Sequence, residues 1–230
     1  MLTKEQLSKV YDTRFTEKLT TERYAVFKVL CTNFFDKFLP SHSKNDNFVV
    51  IDVAAGHCDF INNIGCNDAN KYAFDLNDYI DKHAASYVKT INDNVANISN
   101  YFQEGSVDLI FNSNFLEHIE KPVIVKFLSD SYKLLKKGGE MWIMIPNIRY
   151  TGGAYWDYFD HITPLTERSI IEEGKTSGFE VKTIIKKFIP YSMNYSKKPR
   201  NPFIVKLYLW LMPLSGMFFG QQSFIILKKS

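Results

Sequence analysis

The stretch NFVVIDVAAGHCDF, residues 47–60, has the residue types of a ligand-binding turn. An apolar run that is interrupted only by Asp52 gives way to small residues. This order is typical of a buried parallel strand that opens into a helix, with a ligand held at the turn between them. Of the glycine positions of such turns, Gly56 fills one, whereas Ala54 and Cys58 occupy two others.

Candidate ligands make different demands on this turn. A dinucleotide places its pyrophosphate against the turn, which requires glycines for close backbone approach and a helix N-terminus for the charge. S-adenosylmethionine carries no phosphate, so one or two small residues suffice for its methionine portion and ribose to lie against the backbone. The sequence Ala54-Ala55-Gly56 meets this weaker requirement and favours S-adenosylmethionine.

The rest of the chain supplies the elements that must position this turn. Residues 4–38 have helical spacing, and a polar loop, PSHSKNDN, follows them. Strands are predicted at 48–53, 71–74, 87–91, 107–112, 140–146, 179–189 and 222–229, and helices from 58, after Asp75, at 121–136 and at 166–177. Such alternation of strand and helix predicts a parallel sheet that is covered on both faces.

Five motifs in this order resemble those of the class I S-adenosylmethionine-dependent methyltransferases. VVIDVAAGHCDF is similar to the first motif, in which Asp52 ends the first strand and Gly56 keeps the turn open. Asp75 in YAFDLND matches the acid that accepts from both ribose hydroxyls, and Asp93 in INDNV matches the residue that accepts from the adenine amino group. VDLIFNSNFLEHI and LKKGGEMWIMIPN resemble the fourth and fifth strand motifs.

The resemblance implies a Rossmann-like, doubly wound α/β fold with a seven-stranded, mostly parallel sheet, an antiparallel last strand and N-terminal helices. Residues 1–230 would form one domain, with a helical cover at 1–40, an acceptor-side loop at 147–165 and a basic, apolar insertion at 190–220. The cofactor would be S-adenosylmethionine and the product S-adenosylhomocysteine. The residues expected to contact the cofactor are Tyr11, Arg14, Asp52, Ala54, Gly56, Asp75, Leu76, Asp93, Asn94 and Asn112.

Three further segments, SNFLEH, PNIRYTGGAYWDYFDHITPLTERS and GQQSFI, resemble a subgroup found among bacterial surface-polysaccharide biosynthesis enzymes. In that subgroup the segment YDTRF would fold over the cofactor. Tyr11 and Arg14 are therefore candidates to close the site, and an arginine suits the methionine carboxylate because it donates two parallel hydrogen bonds. The alternative for Arg14 is a surface position on an amphipathic helix.

Two histidines, His118 and His161, follow the fourth and fifth strands, where ligands bind in open α/β sheets. A hydroxyl acceptor holds its proton tightly, so its methylation needs a base, and an imidazole of near-neutral pKa is suited to that role. We predict His161 as the base and His118 as the second catalytic candidate. Alternatively, His118 orients its loop by bonding to backbone, and His161, which follows Asp160 just before a helix start, has a capping role.

The loop after the fifth strand is rich in aromatic residues. Tyr150 and Trp156 could contact a sugar face or a lipid, and Asn147 and Arg149 could add polar contacts to the acceptor. Aromatic residues at this density also commonly form core beneath a long loop. The pair Gly152-Gly153 predicts a hinge for a lid that orders on substrate binding.

Charge and composition limit the partners. All 25 acidic residues lie at or before Glu180, and residues 181–230 carry nine Lys or Arg. This asymmetry predicts an anionic small-molecule acceptor or weak association with an anionic membrane surface, with a solvated lysine rim as the alternative. The apolar stretch 201–222 is interrupted by Lys206, Pro213 and Gly216 and is predicted to form a helix and turn.

Three scattered cysteines and a charged N-terminal segment predict a reduced, cytoplasmic protein, with contact to the inner membrane face as an additional option. No metal site and no nucleic-acid partner are predicted. O-methylation of a sugar or a phosphorylated precursor is the leading prediction, and N-methylation of a small anionic acceptor is the alternative. A nicotinamide-dependent oxidoreductase and a non-catalytic nucleotide-binding module are the other classes, and both fit the turn less well.

Overall fold

The computed structural model describes residues 4–14, 16–66, 70–190 and 201–230. Two N-terminal helices, α1 (Lys4–Arg14) and α2 (Glu17–Asn33), occupy most of the segment with predicted helical spacing. Thr16 separates them, because its backbone is extended and its hydroxyl accepts a hydrogen bond of 3.3 Å from the amide of Leu19. This N-cap supplies a partner for one of the otherwise unpaired amides of the first turn of α2.

Seven strands form a single sheet: β1 (Val50–Val53), β2 (Lys71–Asp75), β3 (Val88–Asn92), β4 (Val107–Ser113), β5 (Leu135–Pro146), β6 (Glu180–Ile185) and β7 (Gln222–Lys228). Their order is β3-β2-β1-β4-β5-β7-β6. The pairs among the first five strands are parallel, and β7 runs antiparallel to both β5 and β6. The predicted Rossmann-like sheet with an antiparallel last strand is therefore confirmed.

The remaining helices connect these strands. They are α3 (Tyr79–His83), α4 (Lys121–Leu134), α5 (Ile148–Thr151), α6 (Glu167–Thr176), α7 (Pro202–Trp210) and α8 (Leu214–Phe219). A capping box, in which the Thr166 and Ser169 side chains bond each other's backbone amides, begins α6 at the predicted position. The helix and turn predicted for the apolar stretch before β7 correspond to α7 and α8.

One sequence-based prediction, the helix from residue 58, is wrong. Residues 56–63 form successive turns. Gly56 and Cys58 have φ angles of 53° and 58°, which lie in the left-handed region and cannot continue into a right-handed helix. The Cys58 thiol is buried and donates to the carbonyl of Ile80 at 3.8 Å, so local tertiary contacts hold this irregular path.

The core lies on both faces of the sheet. On one face Leu30 of α2 and Phe34, which directly follows this helix, pack in a cluster that includes Trp142 and Phe224. On the other face α4 and α6 contribute to a second cluster with the alternate residues of the same strands. Covering both faces in this way leaves the strand edges and ends as the accessible parts of the sheet.

Candidate active site

The strand order changes direction at β1, which has β2 on one side and β4 on the other. Because β1, β2, β4 and β5 are parallel, their carboxyl ends meet at one edge of the sheet. Crevices at such switch points are the usual ligand sites of open α/β sheets. Most of the residues singled out in the sequence lie in the loops at this edge.

The turn after β1 is organised by Asp75 at the end of β2. One carboxylate oxygen of Asp75 accepts from the Gly56 amide at 2.9 Å, and the other accepts from the Asn77 amide at 2.8 Å. Ala54 has a φ of 58°, so a non-glycine residue takes the left-handed conformation here. A carboxylate oxygen can accept more than one hydrogen bond, so an acid at this position suits a pair of adjacent ribose hydroxyls.

Asp52, a residue of β1, also stabilises the turn. Its side chain is 3% exposed, and it accepts a hydrogen bond from the backbone of Ile61. Burial raises the pKa of the Asp52 carboxyl well above its usual range, and the charges of Asp59 and Asp75 act in the same direction. The hydrogen bond from Ile61 opposes this shift but does not cancel it. The geometry thus gives Asp52 a role in holding the loop against the strand.

Asp93 lies at the end of β3 and is connected to β2, since its amide donates to the Asp75 carbonyl at 3.1 Å. Its carboxylate accepts from Asn97, from the Tyr101 hydroxyl and from the Asn94 amide, and these hydrogen bonds lower its pKa. The carboxylate is therefore held ionised beside the cofactor turn. The Asn94 side chain itself accepts from Ala96 as an N-cap.

Two buried amide side chains near this edge lack the hydrogen bonds that burial normally demands. Asn112, which pairs in register with Val53, is fully buried, and neither its amide nitrogen nor its oxygen has a partner among the described residues. The Asn77 side-chain oxygen is in the same situation. Unpaired buried polar atoms are rare in native proteins, and a bound polar ligand removes their cost. These groups, with half-buried Leu76 between Asp75 and Asn77, fit a nucleoside-containing cofactor.

The N-terminal segment reaches the acceptor loop through Arg14. The Arg14 guanidinium donates to both carboxylate oxygens of Asp160, at 2.7 and 3.1 Å, and lies 4.8 Å from the centre of the Tyr158 ring. The predicted contact of Arg14 with a methionine carboxylate stays a prediction, and two of its nitrogen atoms already contact Asp160. The side chain of Tyr11 lies outside the described part of the chain.

Asp160 also contacts the first of the two candidate histidines. The Nδ1 atom of His118 lies 3.1 Å from the Asp160 carbonyl and 3.3 Å from its carboxylate. Burial opposes ionisation of Asp160, but the hydrogen bond from Arg14 and the charge of His118 outweigh it and lower the pKa of this carboxyl. The arrangement is a chain of guanidinium, carboxylate and imidazole, in which the first two orient the third.

His161 is more enclosed than His118. Its ring stacks on Tyr158 with centroids 5.1 Å apart and meets Tyr155 and His118 edge-on, at 4.8 Å each. Burial, together with the neighbouring His118, lowers the pKa of His161 to about 4. Burial also lowers the pKa of His118, where the Asp160 carboxylate acts in the opposite direction. The His118 side chain keeps 21% of its surface exposed, whereas His161 keeps 7%.

Glu117, which lies in the SNFLEH segment but was not predicted to act in the site, completes this cluster. One of its carboxyl oxygens lies 3.7 Å from His118 Nε2, and the other has no hydrogen-bond partner among the described residues. Burial, with a smaller contribution from Asp160, raises the pKa of Glu117 to about 8. Potential ligand atoms of Glu117, His118 and His161 lie within 4.8 Å of one another, so these three residues could also bind a metal ion. The predicted lack of a metal site stays a prediction.

The acceptor-side loop begins with Asn147, whose fully buried amide donates to Glu167 at 2.6 Å and to Ser223 at 2.8 Å. Both amide hydrogens are therefore used inside the protein, and the structure gives Asn147 a fold-stabilising role beside its predicted acceptor contact. Arg149 lies 3.4 Å from Glu167 with 42% of its side chain exposed. Tyr150 is half-buried, and Trp156 is 52% exposed. These last three side chains can still contact an acceptor.

Comparison with known proteins places this site in a family context. Residues 51–143 match the family model described as a methyltransferase domain. No curated protein matches the sequence. A solved structure of an S-adenosylmethionine-dependent methyltransferase from Archaeoglobus fulgidus has a TM-score of 0.60 at 19% identity, over 82% of this chain and 88% of its own.

Two other structures share the fold. A methyltransferase from Thermotoga maritima, described as a possible histamine N-methyltransferase, has a TM-score of 0.65 at 14% identity, over 98% of this chain and 97% of its own. The geranyl diphosphate C-methyltransferase from Streptomyces coelicolor A3(2), solved with Mg²⁺, geranyl diphosphate and S-adenosylhomocysteine, has a TM-score of 0.58 at 14% identity, over 85% of this chain and 77% of its own.

The match of residues 51–143 to a methyltransferase domain, together with the sheet order and the turn at the switch point, supports a methyltransferase with the fold of the S-adenosylmethionine-dependent enzymes. The predicted cofactor, S-adenosylmethionine, agrees with this domain match and with the solved structures that share the fold. Among the three classes that the sequence left open, the domain match favours the methyltransferase, since an oxidoreductase would share the fold but not the methyltransferase domain.

Proposed function

We propose that the protein transfers the methyl group of S-adenosylmethionine to a hydroxyl of a sugar or a phosphorylated precursor in bacterial surface-polysaccharide biosynthesis. The observation that carries this proposal is the Arg14-Asp160-His118 chain at the carboxyl edge of the sheet. An oriented imidazole is what a hydroxyl acceptor requires, because its proton must leave as the new carbon–oxygen bond forms.

The structure supports His118, in place of His161, as the base. With Nδ1 directed to Asp160, the Nε2 atom of His118 is the one that can take the hydroxyl proton, and the Asp160 carboxylate stabilises the imidazolium that results. S-adenosylmethionine, when bound, would supply the electrophilic methyl group. His161 would remain neutral in its aromatic enclosure and support the position of His118.

Several features support an anionic acceptor. Residues 181–230 carry nine basic and no acidic residues. At the acceptor loop, Arg149 is partly exposed, and the Lys187 ammonium lies 5.0 Å from the ring centre of Tyr150. A phosphate or carboxylate on the acceptor would find these cations beside Trp156, which can stack on a sugar ring.

We further infer a cytoplasmic location that is peripheral to the inner membrane face. The resemblance to surface-polysaccharide enzymes is the reason for considering a lipid-linked acceptor at that membrane. The basic C-terminal part of the chain supports this location, since cytoplasmic leaflets carry negative charge.

The test is a methylation assay with S-adenosylmethionine and a set of nucleotide-activated and phosphorylated sugars, with products detected by mass spectrometry. The expected result is a product heavier by one methylene group, with a rate that falls by roughly 10²-fold or more in His118→Ala while cofactor affinity is kept. Full activity of His118→Ala would overturn the assignment of the base.

The alternative, N-methylation of a small anionic acceptor, makes a different prediction in the same assay. An amine that is already deprotonated needs no base, so His118→Ala would leave its methylation nearly unchanged. Amine acceptors should therefore be included, and a product formed only from them would replace the hydroxyl proposal.

A further inference from the structure

Helices α7 and α8 form a hairpin, residues 202–219, that exposes a large apolar surface. Nine of its large apolar side chains each keep at least 41% of their surface exposed: Phe203, Ile204, Leu207, Trp210, Leu211, Leu214, Met217, Phe218 and Phe219. Trp210 and Phe203 are exposed to 78% and 74%. So many exposed large apolar side chains within residues 202–219 indicate a binding surface.

The opposite side of the hairpin is fixed to the protein. Val205, Leu209 and Met212 pack against the core cluster beneath α2. The Tyr208 hydroxyl donates to the Phe188 carbonyl at 2.8 Å. At Gly216 the backbones approach so closely that an added Cβ would lie 2.3 Å from the Lys187 carbonyl oxygen. The exposed side chains therefore belong to a well-anchored element with apolar residues on both faces.

Charge indicates what covers this surface. Within the hairpin the sequence has one charged residue, Lys206, which is exposed, and no acidic residue follows Glu180. Lys197, Lys198 and Arg200 precede the hairpin in the sequence, in a segment outside the described residues. An anionic surface complements this combination, whereas a second copy bound through the same face would place like charges opposite each other.

The hairpin is inserted at the acceptor edge of the sheet. It leads directly into β7, whose first residue, Gln222, pairs with Pro146 at the carboxyl end of β5. Gln221, two residues after the hairpin, donates to the Tyr150 carbonyl at 3.4 Å, so the chain that leaves the hairpin contacts the acceptor loop. A surface that covers the hairpin would therefore lie close to the entrance for the acceptor.

We propose that the α7–α8 hairpin docks the enzyme on an anionic lipid bilayer, with its aromatic and aliphatic side chains in the interface and Lys206 at the headgroups. None of the helices in the described ranges has the length and apolar composition of a bilayer-spanning segment. The docking is thus of the interfacial type, in which apolar burial and attraction to anionic lipid act together. This inference deepens the proposed peripheral location and does not depend on the identity of the acceptor.

The test uses full-length enzyme with vesicles of phosphatidylcholine alone or mixed with phosphatidylglycerol, without any methyl acceptor. The enzyme is expected to cosediment with the mixed vesicles and to cosediment much more weakly with vesicles of phosphatidylcholine alone. Trp210 should report insertion, because its emission should shift to the blue, and the Trp210→Phe variant should lose most of that shift. Binding that leaves the Trp210 emission unchanged would overturn the proposal.

Variants separate the contribution of apolar burial to vesicle binding from that of electrostatic attraction. Trp210→Ser/Phe218→Ser should weaken binding to the mixed vesicles by more than about tenfold, and Lys206→Gln by about fivefold. The matched control is Val125→Ser, which alters an exposed apolar residue of α4, 45% exposed, outside the hairpin. Equal vesicle binding by all three variants, or a stable dimer in light scattering that Trp210→Ser/Phe218→Ser dissociates, would contradict lipid docking. Failure of the methylation assay would leave the vesicle result unaffected.

Discussion

At the scale of single residues, the acceptor site depends on how a few buried charges are paired. Asp160 is held by Arg14 and in turn orients His118, so it acts through its neighbours and needs no contact with substrate. Glu117, next to His118, is buried in a way that favours its protonated form. Substitutions of these residues should therefore have distinct effects on the rate of methyl transfer or on the stability of the protein.

Asp160→Asn should act as a positioning mutation. It keeps the shape of the side chain and the backbone carbonyl that contacts His118 Nδ1, but removes the charge that would stabilise the His118 imidazolium, so kcat should fall roughly 10²-fold with little change in KM. The pH–rate profile should also shift, because the charge next to the base is gone. Asp157→Asn, an exposed carboxylate in the same loop, is the control and should retain the normal rate and profile.

Glu117→Gln tests the buried carboxyl. The pKa of Glu117 is about 8 in the folded state and about 4.5 in the unfolded state. The carboxyl therefore does not lower the free energy of unfolding below about pH 4.5, and it lowers that free energy increasingly as the pH rises towards and through 8. The amide resembles the protonated acid, so the variant should gain stability over the wild type with rising pH, by about 4 kcal/mol at pH 8. Urea unfolding at pH 5 and pH 8 measures this difference, and equal values at both would contradict the buried acid.

Asp75→Ala should weaken binding of S-adenosylmethionine. The substitution removes the acceptor for the ribose hydroxyls and also releases the Gly56 and Asn77 amides that shape the turn. Loss of two such hydrogen bonds corresponds to about 2–3 kcal/mol, or roughly 30- to 150-fold in Kd by calorimetric titration. Asp78→Ala, at an exposed position of the same loop, should bind normally.

At the scale of secondary-structure elements, backbone contacts decide where the irregular segments lie. The turn at residues 56–63 replaces a helix, and the α7–α8 hairpin is placed against the loop that follows β6. In both cases a glycine permits the geometry: Gly56 through its positive φ and Gly216 through a close backbone approach.

Gly216→Ala should therefore displace α8. Alanine ordinarily stabilises a helix relative to glycine, but here its Cβ would lie 2.3 Å from the Lys187 carbonyl oxygen, a backbone atom with no room to move away. We expect a loss of about 1–3 kcal/mol in the free energy of unfolding. Gly153→Ala is the control, because no atom lies within 4 Å of the position that its new Cβ would take, and a larger loss there than at Gly216 would contradict this account.

At the scale of the whole molecule, buried histidines connect the fold to pH. Burial, with the nearby Arg23 and His83, lowers the pKa of His57 to about 4, as burial does for His161. A histidine with a lowered pKa in the folded state does not reduce the free energy of unfolding above its unfolded pKa of about 6.5. As the pH falls from about 6.5 towards 4, the unfolded state binds the proton first and the free energy of unfolding decreases.

Each such histidine accounts for up to about 3 kcal/mol of this loss. The stability difference between wild type and His57→Gln should therefore change between pH 7 and pH 4.5, with the wild type losing more on acidification. An identical pH dependence for wild type and His57→Gln would contradict the buried, neutral histidine.

Much of the architecture follows from local pattern. The apolar runs of the strands and the capping residue Thr166 are local signals, and they placed the elements within a few residues of their observed bounds. The candidate cofactor turn could also be placed at the end of β1, since strand-end acids such as Asp75 and Asp93 are fixed in position by the strands before them. The helix expected from residue 58 was wrong because left-handed backbone at Gly56 and Cys58 is stabilised by contacts that no local pattern records.

The sequence by itself determined the fold class and the edge of the sheet at which the candidate site lies, because strand periodicity and strand-end residues are local properties of the chain. Only the tertiary structure decided how the charged residues are paired. Arg14 and Asp160 are 146 positions apart, and His118 and Asp160 are 42 apart, yet each pair is in contact. Burial then sets which groups hold protons, and burial is a property of the packed molecule that no single segment carries.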